Sequence, residues 1–145
     1  MIILGSDHRG YLLKQEIKKF FNEENIITID VGSYNRERSD YNDFVRLVNA
    51  KVLENESNVG VFFCGTAAGP SIAANRNPKM RAACCWSVET AKLAREKQDA
   101  NMIIIPAECG VSKTKAIKMI KTFLTTDFLG GTYADRVKEL TEGKF

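Results

Sequence analysis

The stretch VFFCGTAAGPSIAANR, residues 61–76, decides how the rest of the chain is read. An apolar run ends on Cys64, a loop of glycine and alanine follows, and a helix begins near Pro70. The short apolar run reads as a buried strand. A loop built from Gly65, Thr66, Ala67, Ala68 and Gly69 exposes its backbone N–H groups, and the helix after it adds its positive end. Together they form a site for an anion or a developing oxyanion. Pro70 is expected at the first helical position, where a missing N–H costs nothing. Cys64, at the mouth of this cradle, is expected to have its thiolate favoured by the helix N-terminus. The same residues also suit a plainer arrangement, a buried cysteine that ends a strand before a tight turn.

The pattern on either side of this stretch repeats. MIILGS, IITIDVGS, VGVFFC, RAACC and NMIIIPA read as five strands. Between and after them lie helix-period segments: the run beginning at Tyr11 with Leu13, Ile17 and Phe20 on one face, Tyr41 to Asn55 with Phe44, Val48 and Val52, a helix near Pro70, Ser87 to Lys97, Ser112 to Leu124, and Tyr133 to Leu140. Strands alternating with helices imply a single α/β domain over residues 1–145, a doubly wound parallel sheet. In such sheets ligands bind beyond the carboxyl ends of the strands. That rule selects the loops GSDHRGY, GSYNRERSDY, CGTAAGPS and PAECG.

Composition removes several classes of function. The hydrophobic fraction of 44% and charged fraction of 27% are those of a globular domain. A net charge of +3 without a basic run gives no footprint for nucleic acid. No apolar stretch approaches the ~20 residues that span a bilayer, and the N-terminus lacks a signal-peptide pattern, so a cytoplasmic protein without a membrane partner is expected. Cys64, Cys84, Cys85 and Cys109 form no C-x-x-C pair, and His8 is the only histidine, so no metal site is expected. Reduced thiols are expected, with Cys84 and Cys85 as strand packing. The cradle lacks the glycine spacing of a dinucleotide site and of a phosphate loop, and no arginine follows Cys64 before Arg76.

The first loop places Asp7, His8 and Arg9 together. An acid, an imidazole and a guanidinium at one strand end can orient hydroxyls and bind phosphate, although such a loop also serves as a solvated turn with a helix cap.

GSDHRGYLLKQEIKKFF, SDY, CGTAAGPSIAAN, AREKQDAN and GGTYADRV, in this order and spacing, resemble the B-type ribose-5-phosphate isomerase family, which includes the galactose-6-phosphate isomerase subunits. The resemblance runs from about Ile2 to Leu140, and the pairing of D-H-x-G-Y with C-G-T-x-x-G is its specific part. It implies a Rossmann-like fold and a homodimer, or a tetramer, whose C-terminal helix packs at the dimer interface beside the active site. It also implies aldose–ketose isomerisation of a sugar phosphate through an enediolate, without metal or cofactor. By position, Cys64 resembles the base that moves a proton between C1 and C2, and Thr66 a substrate-contacting hydroxyl. The backbone of Gly65, Ala67, Ala68 and Gly69 would hold the oxyanion, and Asp7 would handle hydroxyl protons. Tyr41 and Asn101 would line the sugar, and His8 and Arg136 would hold phosphate. Proton abstraction α to a carbonyl needs a base and an oxyanion site in one place, which the loop after the third strand can supply.

The chain departs from that family at four positions. Lys97 stands where a ring-opening histidine is common, Glu108 and Thr132 stand where arginines are common, and Ala67 replaces a cradle glycine. Lys97 would partly restore charge at the substrate site. A four-carbon aldose 4-phosphate cannot close a furanose ring and needs no ring-opening group, so a tetrose phosphate is a sensible substrate beside ribose 5-phosphate. A sugar-phosphate-binding protein that no longer catalyses is the alternative.

Overall fold

The computed structural model describes all 145 residues. Strands β1 (Ile2–Ser6), β2 (Thr28–Asp30), β3 (Val59–Cys64), β4 (Ala82–Cys84) and β5 (Met102–Pro106) form one parallel sheet in the order β2-β1-β3-β5-β4. The helices are α1 (Tyr11–Glu23), α2 (Tyr41–Val52), α3 (Ala68–Ala74), α4 (Val88–Gln98), α5 (Lys113–Thr125) and α6 (Thr132–Thr141). The expected doubly wound, Rossmann-like architecture is present. From β1 the chain winds outward to β2, and from β3 it crosses the other way to the edge strand β4 and returns to β5. The switch point therefore lies between β1 and β3, where Ser6 registers with Phe63.

Alternation along the strands divides the core into two halves. Leu4, Val61, Phe63, Ile103 and Ile105 face α1, α4 and α5, while Ile3, Phe62, Cys64, Met102 and Ile104 face α2 and α3. Burial on both faces explains why β3 and β5 read as unbroken apolar runs. Cys85 sits in the first half of the core and Cys84 is half-buried beside the second, as packing residues at the sheet edge.

Two helix faces differ from their expected ones. Helix α2 buries Val45, Val48 and Val52, with Phe44 only partly covered. Helix α1 buries Lys14, Ile17 and Phe21, leaving Leu13 and Phe20 at the margin. Lys14 is fully buried because Asp30 and the Ser33 carbonyl accept from its Nζ at 2.6 and 2.5 Å. Burial lowers its pKa against the opposing pull of Asp30. This contact anchors the segment after β2, which runs on to the substrate side of the sheet.

Helix α3 starts at Ala68, so Pro70 is its third residue rather than its first. The position still lies in the first turn, where backbone N–H groups have no partner inside the helix. Helix α6 rests against α4 and has no buried residue. No helix is long and apolar enough to cross a membrane.

Candidate active site

Beyond the carboxyl ends of β1 and β3 lies an open cleft of about 940 Å³, lined by Asp7, His8, Arg9, Arg38, Ser39, Asp40, Tyr41, Cys64, Gly65 and Thr66. Three of the loops chosen by the strand-end rule meet there, and the fourth touches its rim through Glu108.

Asp7 is 4% exposed and every one of its contacts is local to the site. Its Oδ1 accepts from the N–H groups of Arg9 and Gly10 at 2.9 and 3.0 Å, which caps the entry to α1 where Gly10 offers no side chain. Its Oδ2 accepts from the Cys64 thiol at 3.0 Å. One carboxylate thus holds the helix start and the cysteine together.

The expected downward shift of the Cys64 thiol is reversed. Burial, then the hydrogen bond to Asp7 and the charge of Asp7, push it up to about 12. The backbone N–H groups of Ala67 and Gly65 act in the opposite direction but are outweighed. A short helix N-terminus cannot offset a carboxylate in direct contact. Nearby, the N–H groups of Gly65, Thr66, Ala67 and Gly69 donate to no oxygen in the chain, and the Ala68 N–H reaches the Thr66 hydroxyl at 3.5 Å. These N–H groups are the ones that the sequence proposes as the cradle. Ala67 holds φ at +69°, a left-handed conformation that costs an alanine about 1–2 kcal/mol. Gly69 admits the ring of Tyr41: a Cβ there would overlap the ring and lie 2.6 Å from the Tyr41 Oη.

His8 is held by the segment after β2. Its backbone N–H donates to the Ser39 Oγ at 3.0 Å, and its Nδ1 accepts from the Ser39 N–H at 3.2 Å. An imidazole that accepts at Nδ1 carries its proton on Nε2 and can donate from there. On the opposite rim, Arg9 Nη1 donates to Glu108 Oε2 at 3.3 Å. A Cβ on Gly65 would sit 2.9 Å from that carboxylate oxygen and 3.0 Å from the Arg9 Cδ, so the pair lies directly over the cradle. Glu108 faces the site.

The sequence profile of the ribose/galactose isomerase family matches residues 2–140. The chain belongs to that family. Ribose-5-phosphate isomerase B of Escherichia coli is 33% identical over 141 residues, covering 97% of this chain and 93% of its own. The crystal structure of a ribose 5-phosphate isomerase from Thermotoga maritima superposes with a TM-score of 0.93 at 36% identity, covering 97% of each chain. The Mycoplasma genitalium ribose-5-phosphate isomerase B, solved with bound ribulose 5-phosphate, gives a TM-score of 0.91 at 32% identity, covering 99% of this chain and 95% of that one.

The family's remaining expected residues are not at this cleft within one chain. Asn101 precedes β5, whereas Cys64 registers with Pro106, five residues on. At about 3.3 Å per residue the two lie about 16 Å apart along the sheet. The Asn101 Oδ1 accepts from Arg81 N–H at 2.8 Å and its Nδ2 donates to the Lys79 carbonyl at 3.0 Å, so its side chain ties β4 to β5. Lys97 and Arg136 both lie 6.0 Å from the Tyr133 ring, at the junction of α4 and α6. Read from the sequence, Arg38 has no role and Ser39 has none beyond its place in SDY. An arginine and a serine in a polar loop carry no periodic signal.

Proposed function

We propose that this chain, an enzyme of the sugar-phosphate isomerase class, interconverts an aldose phosphate and its ketose through a cis-enediolate. The carrying observation is the Cys64–Asp7 hydrogen bond of 3.0 Å beside a loop of unpartnered N–H groups. Sulfur and carboxylate share one movable proton. With pKa about 12, the thiol is ionised to about one part in 10⁵ at neutral pH. A free thiolate is therefore not the resting base, and transfer of the proton from sulfur to Asp7 prepares it.

From that tautomer the bookkeeping closes. Cys64 takes the C2 proton to leave the enediolate, and Asp7 then gives its proton to the oxygen on C1. The N–H groups of Gly65 to Gly69 hold the developing negative charge. Cys64 then returns a proton to C1 as Asp7 accepts the one on O2, which leaves the ketose and restores the pair. Thr66 and Tyr41 line the carbon chain, and His8 donates to the phosphate.

Lys97 and Arg136 join the site only from a second copy of the chain. Three features support a dimer: α6 has no buried residue, Leu140 on it is exposed, and the cations at its junction with α4 face no substrate pocket of their own chain. Asn101 is bound to Lys79 and Arg81 and takes no part. With Lys97 in place of a ring-opening group, both ribose 5-phosphate and an aldotetrose 4-phosphate are candidate substrates.

The test is ¹H NMR of ribose 5-phosphate and erythrose 4-phosphate with the protein in deuterated water, with Cys64→Ala as the control. Ketose formation with deuterium at C1 or C2, abolished in the control, is expected. Saturable binding without exchange would replace the isomerase with a sugar-phosphate binder.

A further inference from the structure

The cleft contains two arginines, and the structure treats them differently. Arg9 is engaged by Glu108, and that pair lies over Gly65, next to the reacting thiol. Arg38 lines the same cleft, is exposed, and has no hydrogen bond or ion pair within the chain. The carboxylates around it are already committed. Asp7 accepts from two backbone N–H groups and the thiol, and Asp40 caps α2 by accepting from the Asn42 N–H at 2.9 Å. Arg38 is therefore the uncompensated guanidinium of the cleft. It is also adjacent in sequence to Ser39, the residue that fixes His8.

We propose that Arg38 anchors the substrate's phosphate, with His8 donating beside it, and that Glu108 keeps Arg9 out of that role by pairing with it above the cradle. The inference rests on the sugar-phosphate reading of the site and assigns an orientation within it. The phosphate lies toward the segment after β2, and the hydroxyl-bearing C1 end lies under the Arg9–Glu108 pair. A guanidinium with all its donors free can grip a phosphate through two parallel N–H bonds, which one shared with a carboxylate does less well. A carboxylate over the reacting end accepts from a sugar hydroxyl and repels an anion. Substrate is thereby turned so that its charge points away from Cys64.

Inorganic phosphate is the probe, because its binding is read without turnover. Its affinity for the intact protein is measured by calorimetry, alongside Arg38→Ala, Arg38→Lys, Arg9→Ala and Glu108→Gln. Loss of a charge-assisted contact predicts about ten-fold or more weaker phosphate binding in Arg38→Ala. Arg38→Lys is expected to recover part of this, Arg9→Ala to change little, and Glu108→Gln to strengthen binding by releasing Arg9. Equal losses in Arg9→Ala and Arg38→Ala, unchanged affinity in Arg38→Ala, or no phosphate binding by the unmodified protein would each overturn the assignment. The exchange experiment with Cys64→Ala judges the isomerase reading separately, since a protein can turn over sugar phosphate while Arg38→Ala binds phosphate normally.

Discussion

The proton on Cys64 can be located by chemistry. Only the thiolate is alkylated, so a thiol pushed up to about 12 should react slowly with iodoacetamide at pH 8 and about ten-fold faster for each further pH unit. Peptide mapping is needed, because exposed Cys109 competes for reagent. Of the causes that raise Cys64, burial comes first and Asp7 supplies the other two. Asp7→Asn removes the carboxylate charge and its acceptance from the thiol, leaving burial in place. The variant's thiol should therefore titrate lower, with alkylation at pH 8 about ten-fold faster, while turnover collapses for want of the proton relay. Slower or unchanged alkylation in Asp7→Asn would remove the carboxylate as the cause. The loop's donors were legible in the sequence because glycine and alanine leave N–H groups bare. The direction of the thiol's shift was not. It depends first on burial of the thiol and then on a carboxylate 57 residues away, neither of which any spacing reveals.

Local pattern located the strands and helices to within a few residues, and it failed where a side chain's surroundings come from another element. Lys14 reads as a solvent-facing residue on an amphipathic helix, yet Asp30 and the Ser33 carbonyl make its burial tolerable. Asn101 reads as part of a family motif, and the contacts that hold its amide come from Lys79 and Arg81, just before β4. The start of α3 is a case that tests the role of one such contact. Gly69 lies in the first turn of the helix, and Tyr41, the first residue of α2, lies against it. Gly69→Ala must displace the Tyr41 ring, at a cost of about 1–3 kcal/mol in stability and a higher KM for the sugar. If crowding of this ring is the whole effect, the double variant Tyr41→Ala/Gly69→Ala should be hardly less stable than Tyr41→Ala alone. Additive losses in urea unfolding would point instead to a need for glycine at residue 69 itself.

At the scale of the whole molecule, the chain assembles half of what its family resemblance calls for. Asp7, His8, Tyr41, Cys64 and Thr66 converge on one cleft, while Lys97 and Arg136 gather around Tyr133 at the other end of the sheet. A parallel sheet keeps its strand starts and strand ends a full strand length apart, so no loop movement within one chain unites the two groups. Sequence order could show both sets of residues but not that the fold holds them a strand length apart, which is why the proposed function draws the second set from another copy. Subunit complementation tests this arrangement. Cys64→Ala and Arg136→Ala proteins, each inactive or nearly so, would be mixed, unfolded in urea and refolded together. Random pairing makes about half of the dimers hybrid, and in a two-fold dimer each hybrid carries one site with neither substitution and one with both. Activity should then return to about a quarter of the unmodified level. If Arg136 served the cleft of its own chain, every site would keep one substitution and mixing would recover nothing.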